Sequence, residues 1–273
     1  MTIVDHPREI VLMQATGNRF AVLDAVRDGP PDDPVAVALE LCARERVDGL
    51  LIVGAAPPKG GGDCDASMTL YNPDGSRPEA CGNGLRCAAR LLVERGHVRG
   101  TEVRLATDAG PRTVHLLRGA DGQAVRATAV MGTPRIVDPA ARLEVFGQVL
   151  EAVLVDMGNP HCVVFVDDVE VTPVSELGPT LERHARFPER TNVEFVHVRG
   201  DELVLRVWER GVGETASCGT GASAAAVAAI RAFRVRSPVA IETRGGRLVV
   251  EWHGSGPLVL TGSVERVGVA TWP

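Results

Sequence analysis

Two cysteines of this 273-residue chain stand in the same local setting. Cys81 is followed by Gly82-Asn83-Gly84 and Cys218 by Gly219-Thr220-Gly221, and each Cys-Gly-x-Gly leads into a sequence of helical character. The reactive form of cysteine is the thiolate, and a helix N-terminus favours it through unpaired N–H groups and the macrodipole. The glycines let the backbone approach a ligand closely, so the same N–H groups can hold a carboxylate. Two such units facing one another would supply two thiol/thiolate groups and two sets of oriented donors. That arrangement suits removing a proton from one face of a carbon beside a carboxylate and returning one to the opposite face. A single Cys-Gly-x-Gly reads more simply as a tight turn with a packed cysteine. The duplication at matched spacing favours the chemistry.

The elements that must position these cysteines repeat as well. Tyr71-Asn72 precedes Cys81 as Trp208-Glu209 precedes Cys218, at the same distance, and both units read as strand, Gly-containing loop, Cys-Gly-x-Gly, helix. Short β-type runs bounded by Gly, Pro, Asp or Asn dominate the chain, at 10–13, 20–23, 50–53, 67–71, 103–106, 112–117, 124–130, 152–155, 163–166, 193–197, 203–208, 239–243, 247–252 and 258–263. Helical patterns are fewer, at 34–46, 84–95, 179–186 and 220–232. Strands outnumber helices too heavily for a regular βαβ alternation, so the expected class is α+β, with two similar domains and a boundary near 117–122.

Hydrophobic content of 45% and charged content of 23% are those of a soluble globular protein. A formal charge of −6 and aromatics at 4% argue against a nucleic-acid or anionic-membrane partner, either of which would reward a basic face. The start, Met1-Thr2-Ile3-Val4-Asp5-His6-Pro7, lacks a cationic region followed by an apolar one, and the longest apolar run, from Ala222 to Ile230, is too short to span a bilayer. The expected location is cytoplasmic. None of the six cysteines sits in a Cys-x-x-Cys pair or has a His at zinc-finger spacing, so no structural zinc is expected, and Cys42, Cys64, Cys87 and Cys162 read as small packed hydrophobes.

The chain resembles the diaminopimelate epimerase family in Asn72-Pro-Asp-Gly-Ser-Arg-Pro-Glu-Ala-Cys81-Gly-Asn-Gly-Leu-Arg-Cys87, in Met157-Gly-Asn159-Pro-His161 and in Thr191-Asn192-Val-Glu-Phe195. The longest such stretch is Glu209-Arg210-Gly-Val-Gly-Glu-Thr-Ala-Ser-Cys218-Gly-Thr-Gly221, and all run in family order over nearly the whole chain. The resemblance implies two pseudo-symmetric domains, each a mostly antiparallel β-sheet wrapped around a central helix. Residues 1–118, completed by a C-terminal strand at 263–273, would form the first and 119–262 the second. It implies epimerisation of LL- to meso-diaminopimelate, for lysine and peptidoglycan precursors, without pyridoxal phosphate or metal. Cys81 and Cys218 would be the catalytic acid/bases, with His161 and Glu209 supporting their protonation states. Gly82, Asn83, Gly219 and Thr220 would cradle the reacting carboxylate, and Asn18, Asn72, Asn159, Asn192, Glu209 and Arg210 would grip the rest of the substrate. Expected partners are that small molecule and no nucleic acid or membrane; a homodimer is an open option. The chain departs from the family pattern at Gln14–Arg19, at Glu45–Gly49 and in a Gly-rich insertion at 57–63, leaving both cysteines and Arg210 intact.

Simpler roles exist for the supporting residues. Asn72 before Pro73-Asp74-Gly75 and Asn159 before Pro160 are natural turn residues, His161 could be a satisfied structural histidine, and Glu209-Arg210 could be a solvated pair. Arg210 is the strongest of them, because a guanidinium suits a second carboxylate. A rival reading is a dinucleotide-binding oxidoreductase, since Gly219-Thr-Gly221-Ala-Ser-Ala224 matches Gly-x-Gly-x-x-Ala before a helix and Glu242 ends a later strand. Arg206 in the preceding run opposes it, because a central parallel strand should be apolar throughout. The pattern is also compatible with a non-catalytic binding module whose cysteines are inert, and with a racemase of a different amino acid on the same fold.

Overall fold

The structure is a computed structural model; the residues described are 7–57, 63–78, 81–120 and 122–273. The N-terminal segment 1–6 and residues 58–62, most of the Gly-rich insertion, lie outside them. The chain divides into two compact units, one running up to Ala129 and including Ser263–Pro273, the other Val130–Gly262.

The first unit contains β1 (Arg8–Ala15), β2 (Asn18–Asp24), a single helical turn α1 (Ala25–Asp28), α2 (Pro34–Glu45), β3 (Gly49–Ala55), β4 (Ala66–Tyr71), α3 (Gly82–Glu94), β5 (Glu102–Thr107), β6 (Gly110–Arg118) and β7 (Ala124–Gly132). The second contains β8 (Arg135–Val145), β9 (Gln148–Asp156), β10 (Pro160–Phe165), α4 (Val174–Glu182), β11 (Asn192–Arg199), β12 (Glu202–Glu209), β13 (Gly213–Thr215), α5 (Gly219–Arg231), β14 (Val239–Thr243), β15 (Gly246–Glu251) and β16 (Leu258–Ser263). The last strand, β17 (Glu265–Trp272), returns to the first unit and pairs antiparallel with β1.

Both sheets follow one plan. In the order β17-β1-β2-β3-β4-β5-β6-β7, the β2/β3 and β4/β5 pairs are parallel and the others antiparallel. In the order β8-β9-β10-β11-β12-β14-β15-β16, the β10/β11 and β12/β14 pairs are parallel and the others antiparallel, with short β13 added beside β12. This is the α+β, mostly antiparallel architecture expected.

Each sheet curls around one helix and carries a second on its outer face. Every residue of α3 from Gly82 to Leu92 is buried, as is every residue of α5 from Gly219 to Ala229. A helix enclosed on all sides needs small or apolar residues all round, and the alanines of α5 meet that need. On the outer faces, Val37, Ala38, Leu41 and Cys42 of α2 pack on Ile10, Leu23, Leu50 and Ile52, while Val174 and Leu181 of α4 pack on Leu154, Val164, Val193 and Phe195. α2 starts where the sequence implies, Asp33 accepting from the Val35 and Ala36 N–H groups ahead of Pro34.

Three expectations change. The stretch 117–122 is the turn of the β6–β7 hairpin, with Val114 opposite Ala129, so the units divide inside β7 rather than at 118/119. The third helix spans Val174–Glu182 with Pro179 in its interior, not at its start. It begins earlier because Val174 and Gly178 face inward, and Gly178 lies against Trp208, where a Cβ would stand 2.6 Å from the indole. The dinucleotide-binding reading also falls. α5 follows a three-residue antiparallel strand and is enclosed by its sheet, whereas a nucleotide-binding helix lies on the face of a parallel one. Arg206 is explained locally by a two-point contact with Glu214, at 2.7 and 3.1 Å. Among the described residues no helix is long and apolar enough to cross a membrane.

Candidate active site

Both cysteines are the N-caps of the enclosed helices. Cys81 and Cys218 are extended, with φ/ψ of −147°/101° and −124°/121°, and each sulfur accepts from the N–H three residues on. The distances are 3.2 Å from Gly84 N to Cys81 Sγ and 3.4 Å from Gly221 N to Cys218 Sγ. A thiol so placed receives the positive end of the helix, and the first-turn N–H groups of Gly82-Asn83 and Gly219-Thr220 are of the kind that bind carboxylates. Cys81 is half-buried and Cys218 buried; Cys42, Cys87 and Cys162 are also buried, and Cys64 is intermediate. Burial pushes the Cys87 and Cys162 thiols far up and Cys42 to about 11, which leaves them inert packing groups.

Around Cys81, Asn83 is buried; its Nδ2 donates to Asn18 Oδ1 and its Oδ1 accepts from Arg86 Nη2 at 2.6 Å. Arg86 is wholly buried, also donates to Thr16 Oγ1 at 2.8 Å, and has no carboxylate partner among the described residues. Burial lowers its guanidinium to about 10, against the pull of the Cys87 and Cys81 sulfurs, so it remains a cation at neutral pH. The two divergent segments meet here, for Asp48 Oδ2 accepts from Arg19 N at 2.8 Å and lies 3.5 Å from Asn18 Nδ2. Asn72 occupies its own turn, donating to Ser76 Oγ at 3.0 Å, with Gly75 at φ +82° closing the loop. It touches none of the other expected residues of this unit within the described contacts.

Around Cys218 the groups are acidic. Thr220 Oγ1 lies 3.4 Å from the sulfur, and Glu209 hydrogen-bonds both Thr215 and Cys218. Burial, then the Glu209 charge, push the Cys218 thiol well above its ordinary range. Burial likewise raises the Glu209 carboxyl. His161 is buried, its Nδ1 2.7 Å from Glu194 Oε1 and its Nε2 3.0 Å from Asn159 Oδ1. Asn192 donates to the Pro160 carbonyl at 2.9 Å and accepts from Arg210 N at 2.9 Å. The Arg210 guanidinium has only a long contact to the Glu189 carbonyl, 3.4 Å, and no carboxylate among the described residues. Glu182 of α4, itself buried, accepts from Trp208 Nε1 at 2.9 Å and Gly211 N at 3.0 Å, clamping the strand end that presents Glu209 and Arg210.

In the second unit the structure therefore gathers Cys218, Gly219, Thr220, Glu209, Arg210, Asn159, His161 and Asn192, and in the first Cys81, Gly82, Asn83 and Asn18. Sequence reasoning missed Glu194, Glu182, Thr215 and Arg86. An acid inside the apolar run Val193–Val196 was the available signal for Glu194. Among the described residues no three His, Cys, Asp or Glu side chains are grouped to hold a metal ion.

Each unit thus carries one cysteine N-cap on an enclosed helix, and the chain is an isomerase. The diaminopimelate epimerase family profile matches residues 10–137 and 153–267, and the chain belongs to that family. It is 44% identical to a diaminopimelate epimerase of Stutzerimonas stutzeri (strain A1501), over 93% of this chain and 95% of that one. With a diaminopimelate epimerase of Desulfitobacterium hafniense the identity is 40%, over 95% and 96%. A phenazine biosynthesis protein of the PhzF family from Bacillus anthracis superposes with a TM-score of 0.77 at 15% identity, covering 98% of this chain and 99% of that one, a likeness of fold.

Proposed function

We propose that this isomerase interconverts LL- and meso-diaminopimelate by a two-thiol mechanism in which Cys81 and Cys218 act on opposite faces of one α-carbon. One sulfur, as thiolate, takes the α-proton; the other, as thiol, delivers its own proton to the opposite face. The carbon is inverted and the two sulfurs exchange protonation states, so atoms and charge balance. First-turn N–H groups at Gly82-Asn83 and Gly219-Thr220 hold the reacting carboxylate as negative charge spreads into it. Asn18, Asn72, Asn159 and Asn192 serve the polar ends, and Arg210 takes the second carboxylate in a charge-assisted bond. His161 and Glu209 adjust the proton affinity of the thiols. The observation that carries the reading is the pair of cysteine N-caps on enclosed helices within one repeated topology.

The identities of 40–44% with diaminopimelate epimerases support the substrate. The chemistry is read as cofactor-free on a sequence ground: pyridoxal phosphate enzymes bind the cofactor through a lysine, and the single lysine of this sequence is Lys59, in the Gly-rich stretch. Working thiols need a reducing compartment, which supports a cytoplasmic location.

Solvent deuterium entering the α-carbon tests the reading. Fast exchange is expected with diaminopimelate and little with lysine, and Arg210→Lys should raise KM sharply while the same proton exchanges. Exchange with proline, histidine or lysine but none with diaminopimelate would assign another substrate to the fold.

A further inference from the structure

The repeat makes positions in the two units comparable. Leu50 pairs with Tyr71 and Val193 with Trp208, and each aromatic stands at the same distance before its cysteine, so Leu51 and Glu194 occupy the same place. Both lie under the first turn of the enclosed helix. A Cβ on Gly84 would meet Leu51 Cδ2 at 2.9 Å, and one on Gly221 would meet Glu194 Oε1 at 2.8 Å. Leucine is an ordinary occupant of a wholly buried spot; a glutamate there has no packing rationale. The Glu194 side chain is 0% exposed, and while Oε1 meets His161, Oε2 has no hydrogen-bond partner among the described residues. Titratable groups face it from β10 (His161 and Cys162), from β12 (Glu209) and from the start of α5 (Cys218). The buried acid of α4, Glu182, is engaged with Trp208 and Gly211 instead.

We propose that Glu194 is a positioning residue for the reaction: its carboxyl group fixes the His161 ring through Nδ1, turns Nε2 toward Asn159, and packs beneath the first turn of α5 that presents Cys218. Its catalytic consequence rests on the two-thiol reading; its geometry does not. The Glu194 charge acts on the Cys218 thiol in the same direction as burial and Glu209.

Glu194→Gln keeps the size of the side chain and an acceptor for Nδ1 but removes the charge. The pH curve for alkylation of Cys218 by iodoacetamide, followed on its peptide by mass spectrometry, should then move to lower pH, and a move of one unit quickens alkylation at neutral pH about tenfold. The kcat for α-proton exchange should fall about tenfold and its pH profile move the same way, with KM within about twofold. Glu194→Asp, which keeps the charge, should restore the alkylation curve. A folded Glu194→Gln with both pH profiles unchanged overturns the proposal. Should that variant not fold, nitrogen-15 labelling of the histidines in the wild-type chain decides: a His161 Nδ1 proton that exchanges as fast as those of exposed histidines overturns the proposal, and a protected one supports it. Absence of α-proton exchange in the wild type brings down the epimerase reading instead, and is told apart because the alkylation curve is read without substrate.

Discussion

At equivalent places the first unit sets Leu51, Phe20, Asn72 and Arg86 where the second sets Glu194, His161, Glu209 and Ser223. The backbone around them is the same: parallel and antiparallel pairs in one order, an enclosed helix, a cysteine N-cap holding the third N–H. The chemistry around the sulfur is not. Cys81 has the buried Arg86 cation near it, while Cys218 has the wholly buried Glu194, the part-buried Glu209 and a histidine around it. Burying an arginine costs a great deal unless its donors are used; Arg86 Nε and Nη2 are held by Thr16, Asn83 and the Ser263 carbonyl, while Nη1 has no partner among the described residues. A duplicated scaffold can thus carry a functional asymmetry entirely in side chains beneath the helix start. One sulfur has a buried guanidinium acting on it, and the other has carboxylates that oppose a negative charge there.

The most severe way to break this comparison is to remove either sulfur. Cys81→Ala and Cys218→Ala should each cut α-proton exchange by roughly 10²–10⁴-fold with unchanged circular dichroism, whereas Cys87→Ala and Cys162→Ala should stay within about threefold. Near wild-type exchange in either variant would rule out the two-thiol reading.

A finer test separates the two electrostatic settings by the sign of a shift. Arg86 is a cation throughout the neutral range, so Arg86→Gln should make the Cys81 thiolate less favourable, move its alkylation curve to higher pH and slow its modification at neutral pH. Glu209→Gln removes a negative charge and should move the Cys218 curve to lower pH. Shifts in the same direction would show that the difference between the units is not one of charge. Arg86→Gln should also lower stability by about 1.5–3 kcal/mol, read from urea unfolding, since hydrogen bonds to a charged group are lost.

The smallest expected effect concerns the glycines. Gly84→Ala presses on the end of a leucine, which can turn, and gains about 1 kcal/mol of helix propensity, so its melting temperature should scarcely move. Gly221→Ala presses on a carboxylate fixed by His161 and should cost about 1–3 kcal/mol. Equal costs would place the two glycines under the same constraint.

Local patterns made much of this legible in advance. The start of α2 follows from Asp33-Pro34, those of α3 and α5 from Cys-Gly-x-Gly, and most strands from short apolar runs between turn residues. β8 escaped because Asp138-Pro139 interrupts it and its pairing with β9 slips at Ile136/Asp138 and Asp138/Ala141, so no alternation runs its length. The third helix was displaced because proline suits a first turn, while the constraint that fixed it, Gly178 against Trp208, comes from a distant strand. Glu182 and Arg86 were invisible for the same reason. Each looks like an ordinary surface charge until its partners, 26 and 70 residues away, close over it.

The strand β17 carries a consequence for biosynthesis. The second unit is one continuous stretch, Val130–Gly262, and every strand it needs leaves the ribosome in sequence. The first unit, though made earlier, lacks the edge partner of β1 until Glu265–Trp272 has emerged, and Arg86 and Arg90 wait equally long for the Ser263 and Val264 carbonyls they hold. Nascent chains should therefore mature from the middle outward, the later-made unit finishing first, with an open β1 edge exposed throughout synthesis.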